Sequence, residues 1–352
     1  MPQAQRQQMI PFRYATRRRR QPCRDTVTFT AGGRGSIRLP QVGFITRLFL
    51  TFTGTVNVGA GASLADLGPW NLIKRMRFSL NLGNNDIVDV SGWGGRIVQQ
   101  AMRRGFEMGG ILPGATAAPS DRFAAGVAAG NNTWRLNWVI PIAANNHRDF
   151  ELGAINLQAE QLEAVLNVDW GAVSDAVNVA GGTGISNATL SAEYEYFEVP
   201  DPRVVEYPPL ILCRTFEKST SITSVGETAY QIERAGRLLS LYSTVRLNGA
   251  RSESVDYFEL KFNRNDSVER LDRPIIRTIN AEEYGSDFPS GVWGLELWNA
   301  QGLPQAGDLR DAIDTEVITT PEWITAVSSG ATLGVGNNEF LNVRRYLQAA
   351  AY

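Results

Sequence analysis

The sequence predicts an all-β protein built as two β-sandwiches in tandem. Three observations carry this. Apolar residues recur at every second position along most of the chain, a proline-rich joint divides it near the middle, and residue pairs before the joint return at the same spacing after it.

The alternation is clearest in the first half. Residues 44–58 put Phe44, Leu48, Leu50, Phe52, Val56 and Val58 on one face, and Arg47, Thr51, Thr53, Thr55 and Asn57 on the other. Met76, Phe78, Leu80 and Leu82 alternate with Arg75, Arg77, Ser79 and Asn81. Leu162, Ala164, Leu166, Val168 and Trp170 form a third stripe, and Leu190, Ala192, Tyr194 and Tyr196 a fourth. Successive strand side chains point to opposite faces, so such stripes mark strands with one face in a core and one toward water or another surface. The second half repeats the pattern. Leu239, Leu241, Val245 and Leu247 alternate with Ser240, Thr244, Arg246 and Asn248, and Phe258, Leu260 and Phe262 with Glu259, Lys261 and Asn263. Helical spacing is scarce. It is expected at about 93–104, with Ile97, Ala101 and Met102 on one side, and at about 274–284, where Pro274 suits a first turn.

The joint is residues 199–209, whose four prolines cannot donate to a ladder and stiffen a connector. Cys23-Arg24 is answered by Cys213-Arg214, and Arg47-Leu48 by Arg237-Leu238, at one spacing. The expected division is an arm over 1–24, a sandwich over 25–200, a connector over 201–212, a second sandwich over 213–345 and a tail over 346–352.

Composition narrows the function. With 43% apolar and 20% charged residues the chain is neither disordered nor fibrous. No apolar run approaches the roughly 18 residues of a membrane helix. The N-terminus lacks the apolar core of a signal peptide, so secretion is not expected. His147 is the one histidine, and its neighbour Asp149 has no G-x-S-x-G nucleophile to serve. Glu282-Glu283 and Asp201 offer carboxylates but no spacing that implies a cleft. Cys23 and Cys213 are too far apart for a motif, and the loop at Asn263–Asp266 lacks the glycine of a calcium site. The glycine-rich stretches at 31–35 and 181–184 lack the Lys-Ser/Thr of a phosphate loop. No catalytic residue, metal or cofactor is expected.

Charge is unevenly placed. Residues 1–24 hold seven arginines and no acid, so the head is +7 and the remainder is −9 within a whole-chain −2. Arg6, Arg13, Arg17, Arg18, Arg19 and Arg20 lie there among Met9, Ile10, Phe12 and Tyr14. This reads as an arm for a polyanion, and electrostatics alone suits anionic lipid and nucleic acid equally. A solvated arm is the bland reading. Of 34 basic residues only Lys74, Lys218 and Lys261 are lysines.

Leu67-Gly68-Pro69-Trp70-Asn71-Leu72-Ile73-Lys74-Arg75, a strand, and then Ser91-Gly92-Trp93 resemble the major capsid proteins of tectivirus-like, membrane-containing icosahedral phages. There a GPxNL-x-x-R segment precedes a strand and a Ser-Gly-Trp that opens a short helix. Asp287-Phe288-Pro289-Ser290-Gly291-Val292 is similar to that family's DFPxGV segment. It follows an arginine-bearing helix, as Ile276-Arg277-Thr278 to Tyr284 does here. The two matches keep the family's order and span about 25–345.

The resemblance implies a double jelly roll, two eight-stranded sandwiches with short helices in connecting loops. It implies homotrimers of pseudo-hexagonal outline that tile an icosahedral shell with neighbouring trimers, over an internal membrane enclosing double-stranded DNA. Minor capsid and vertex proteins are further partners it implies. The place is the virion, after synthesis in the host cytoplasm. Gly68, Pro69, Asn71, Arg75, Gly92, Trp93, Asp287, Phe288, Pro289 and Gly291 are its structural positions. The alternatives are a jelly-roll carbohydrate-binding or carbohydrate-active protein, with Trp134, Trp138, Trp293 and Trp298 as candidate platforms, and a capsid protein whose basic arm binds nucleic acid directly.

Overall fold

The structure, a computed structural model, describes residues 9–81, 85–103, 125–144, 152–158, 163–178, 183–263, 266–284, 288–297 and 312–349. Among the described residues sixteen strands have five residues or more. The first eight are β1 (Arg18–Thr28), β2 (Arg34–Arg38), β3 (Phe44–Val58), β4 (Ile73–Leu80), β5 (Asn85–Val90), β6 (Gly130–Pro141), β7 (Ala164–Trp170) and β8 (Gly184–Phe197). The next eight are β9 (Ile211–Ser221), β10 (Gly226–Gln231), β11 (Arg237–Leu247), β12 (Val255–Phe262), β13 (Asp266–Asp272), β14 (Val292–Glu296), β15 (Glu322–Val327) and β16 (Glu339–Ala349). Helix α1 (Gly92–Arg103) follows the fifth strand of the first set, and α2 (Arg273–Tyr284) the fifth strand of the second.

Both sets have one topology. Sheet order β1-β8-β3-β6 faces β2-β7-β4-β5, and β9-β16-β11-β14 faces β10-β15-β12-β13. That is the jelly-roll order, so the fold is the double jelly roll the sequence led one to expect. Phe52, Trp134 and Leu190 fill the first core and Phe258, Trp293 and Trp323 the second, all buried. The Phe258 and Trp323 rings stack 5.4 Å apart.

The two sandwiches are fused rather than strung. Strand β5 pairs in parallel with β9, Val88 opposite Thr215 and Asp89 opposite Phe216, which makes one ten-stranded sheet. The first core runs on through Leu212, Tyr242, Tyr284, Phe288, Leu341 and Val343 of the second half.

This fusion corrects the reading of one strand. The stripe at 239–247 was expected to turn Ser240 and Thr244 outward. Both are buried because the first half covers that face of β11, while Ser243 on the other face is buried against Trp323 of the second core. A bulge between Leu238 and Ser240 also sends Leu239 away from Leu241. Leu239 packs instead with Ala144, Leu152, Cys213 and Leu347 across the seam.

Candidate functional site

The family-motif residues gather where the two sandwiches meet. Pro69, joined to Gly68 by a cis peptide, leads into a 3₁₀ turn (Trp70–Leu72). That turn seats Trp70 edge-on against Trp138 of β6, with ring centroids 5.3 Å apart. The Asn71 amide donates to the Leu67 carbonyl at 3.1 Å and closes the turn. Arg75 of β4 forms a two-pronged pair with Asp89 of β5, and this bond makes its guanidinium still harder to deprotonate.

Ser-Gly-Trp is the start of α1, and each residue has a physical task. The Ser91 hydroxyl accepts from the Gly94 amide at 3.0 Å, an N-terminal cap. A Cβ on Gly92 would lie 2.1 Å from the Trp70 carbonyl oxygen, so only glycine fits. That closeness lets the Gly92 carbonyl accept from Trp138 Nε1 at 2.8 Å. Trp93 is fully buried, and its Nε1 donates to Thr244 Oγ1 of β11 at 3.1 Å, in the other sandwich. The Arg251 guanidinium lies over its ring at 5.3 Å.

The second motif answers from the other half. Phe288 is buried edge-on to Tyr284 at 4.9 Å. Pro289 is buried too, and its carbonyl accepts from the Val292 amide at 3.0 Å. Gly291 has φ +76°, and a Cβ there would meet Arg251 at 2.7 Å. Arg277 holds this loop by donating to the Phe288 and Val292 carbonyls, both at 3.0 Å, and to Glu253. Asp287 lies outside the described residues, as do Arg6, His147 and Trp298.

Charged groups close the seam. Asp66 accepts from the Arg251 amide at 3.0 Å and lies 3.5 Å from Arg246. Glu217 of β9 is half-buried and accepts from the Ser91 amide at 2.9 Å and hydroxyl at 2.8 Å. Burial pushes its carboxyl up to about 7, the two Ser91 bonds oppose that, and Asp89 and Glu339 add to it. Sequence reasoning passed over Glu217 and Asp66. Glu217 stands in a strand of ordinary alternation, and only the fused sheet shows it facing a helix start.

The basic head was expected as an arm over 1–24. From Arg18 onward it is strand β1, at the end of its sheet. Arg18, Arg19 and Arg20 are each more than half exposed. Arg20 donates to Glu195 at 3.0 Å, and Arg18 and Arg47 each stand 3.8 Å from that buried carboxylate. Arg19 pairs with Glu198. Before β1, Ile10–Pro11 pairs in parallel with Val205–Glu206 of the connector over a small core of Phe12, Phe44, Phe197 and Val205. Trp134, Trp138 and Trp293 are fully buried, so none of the three is a sugar platform. Glu282 is exposed on α2, and Asp201 caps a turn of the connector by accepting from the Arg203 amide at 2.9 Å.

Truncating Trp93 to alanine is expected to cost about 3–5 kcal/mol of stability, read as a shift of the urea midpoint. An unchanged midpoint would mean that the seam does not depend on this ring. Glu217→Gln gives a pH signature. A carboxyl raised to about 7 stabilises the fold fully below its unfolded value near 4.5, and that contribution is lost as pH rises through 7. The variant is therefore expected to gain on the order of 2 kcal/mol over wild type between pH 5 and pH 8. Urea unfolding at both pH values checks this, and parallel curves would refute it.

No protein-family model and no curated protein sequence matches the chain. Solved structures do match. The major capsid protein of STIV, Sulfolobus Turreted Icosahedral Virus, superposes with a TM-score of 0.68 at 16% identity, over 94% of this chain and 96% of that one. The PBCV-1 virus capsid gives 0.63 at 11% identity, over 99% and 95%. The major capsid protein P2 from bacteriophage PM2 gives 0.55 at 12% identity, over 95% and 98%. At such identities the likeness is one of fold, and the fold is the double jelly roll of these capsid proteins.

Proposed function

We propose that this chain is a viral major capsid protein that acts as a homotrimer. The observation that carries the reading is the pair of jelly rolls of one topology, fused side by side through β5 and β9. A chain with two like units, repeated three times about an axis, gives six like units and a nearly hexagonal outline. Such a block tiles a surface, and a heterologous contact repeated about that axis closes without leaving a free end. The same architecture is found in the STIV and PM2 major capsid proteins over almost the whole of both chains. On this reading the protein resides in the virion, with minor capsid and vertex proteins as further partners.

The finer reading is a tectivirus-like shell over an internal membrane that encloses double-stranded DNA, and one end of the molecule supports it. Strands β1, β3 and β9 begin at this end, and β8 and β16 finish there. Met9, Ile10, Val204 and Leu210 are exposed beside it, and Tyr14 is 74% exposed. Arginines 17 to 20 and Arg203 lie close by in the chain. Apolar and aromatic side chains flanked by guanidiniums suit a lipid headgroup boundary better than a phosphate backbone.

Two measurements test the proposal. The purified chain is expected to have about three times the 38.7 kDa monomer mass and a hexagonal footprint in negative stain. A monomer that never joins particles would sink it. For the membrane, Arg18 and Arg20 are best left in place beside Glu195. The combined variant Tyr14→Ser, Arg17→Gln and Arg19→Gln is expected to keep the trimer yet lose most co-sedimentation with anionic vesicles, at roughly 1 kcal/mol per arginine. Unchanged vesicle binding would refute the lipid contact, and a loss confined to DNA binding would move the arm to nucleic acid.

A further inference from the structure

The fused seam has a counterpart that one chain leaves open. Within the chain, the fifth strand of the first sandwich, β5, pairs in parallel with the first strand of the second, β9. The equivalent strands are β13, fifth in the second sandwich, and β1, first in the first. Each stands at the end of its sheet among the described residues. A free strand edge presents a row of unpaired N–H and C=O groups, which is a template for another strand.

We propose that β13 of one copy docks in parallel against β1 of the next, repeating the β5–β9 seam around the trimer, with Arg24 facing Asp266 across the contact. The inference deepens the trimer reading and rests on it.

The internal seam supplies the pattern. Arg214 follows buried Cys213 on β9 and donates to Oδ1 of Asn85, the first residue of β5. Arg24 likewise follows buried Cys23 on β1, and Asp266 is likewise the first residue of β13. Both Arg24 and Asp266 are exposed. The neutral amide of the internal pair is thus replaced by a carboxylate. Two separate copies must find each other, where two halves of one chain are already tethered, and opposite charges steer that encounter.

The rest of each strand agrees. Strand β1 carries Arg18, Arg19, Arg20 and Arg24 against one acid, Asp25. Strand β13 carries Asp266, Glu269 and Asp272 against one base, Arg270. Two β1 edges repel one another, as do two β13 edges, so unlike edges are the favoured pair. Pro22 breaks donation early in β1 and leaves the ladder to the residues after it. Among them, Asp25 and Thr26 answer Thr215 and Phe216, which pair on β9.

The test uses the full chain and mass photometry over a dilution series. Arg24→Glu and Asp266→Arg are each expected to raise the trimer dissociation constant at least about tenfold. The double variant, with the charges exchanged, is expected to bring it back to within a few-fold of wild type. As a second readout, Asp25→Cys chains mixed with Glu269→Cys chains, the positions that answer the opposed Thr215 and Val88 of the internal seam, are expected to form disulfide-linked dimers on a non-reducing gel. If wild type forms trimers that both reversals leave unchanged, or no link forms within them, the seam is wrong and the trimer reading stands. If wild type stays monomeric at every concentration, both fall.

Discussion

The parallel contact between β5 and β9 is the constraint on which the rest of the structure depends. It joins one sheet of each sandwich into a single ten-stranded sheet and thereby decides which faces see water. The equivalent strands β3 and β11 show the effect. Strand β3 alternates buried and half-buried residues along its length, since only one of its faces meets a core. Strand β11 is buried at nearly every position, because its own partner sheet covers one face and the first half the other. Strands β8 and β16 differ in the same way. Equivalent strands of one topology thus carry different burial patterns because their surroundings differ.

What is buried at the seam is in good part polar, and this bears on its role. An apolar seam would hold the halves together but would tolerate sliding. Trp93 bonded to Thr244, Glu217 bonded twice to Ser91, and Asp66 bonded to Arg251 each hold at one register only. Arg345, fully buried, reaches the Cys213 thiol at 3.6 Å on the same face. Desolvating such groups is costly, and their bonds roughly offset that cost. The net result is a fixed relation between the sandwiches more than added stability.

Much of this was legible in the residues. Clean alternation gave the strands of the first half, since their outer faces meet solvent and the chemistry of each face is distinct. Ser91, Gly92 and Trp93 could be read as a helix start, because capping and close approach demand those residue types. The spacing from Cys23-Arg24 to Cys213-Arg214 marked equivalent strands. Strand β11 was misread because burial on both faces erases the period-two contrast, and a bulge shifts its phase. Glu217 was invisible for a different reason. Its partner is Ser91, far away in sequence, and no local pattern announces a carboxylate that faces a helix start. The arginine head was read as an arm because its charge outweighed its strand pattern. The pairing of β1 with β8, and Glu195 beneath Arg18 and Arg20, show that the same arginines also satisfy a buried acid.

The preference for arginine over lysine follows from the packing. Arg96 is the fifth residue of α1, and its guanidinium lies 4.6 Å from the centre of the Trp70 ring. Arg277 is the fifth residue of α2 and lies 4.9 Å from the Trp293 ring. The same cation thus covers an indole at the same helical position in both sandwiches. Only a flat, weakly hydrated cation can stack on an indole and still donate in its own plane, as Arg277 does to two carbonyls and Glu253. Lysine would offer a point charge with a tighter hydration shell, and its burial beside tryptophan would cost more. The repeated Arg–Trp stack is a likeness of the two sandwiches that the sequence spacing alone did not show, because the helices are offset differently from the strands. It also ties the arginine-rich composition to the interior of this fold.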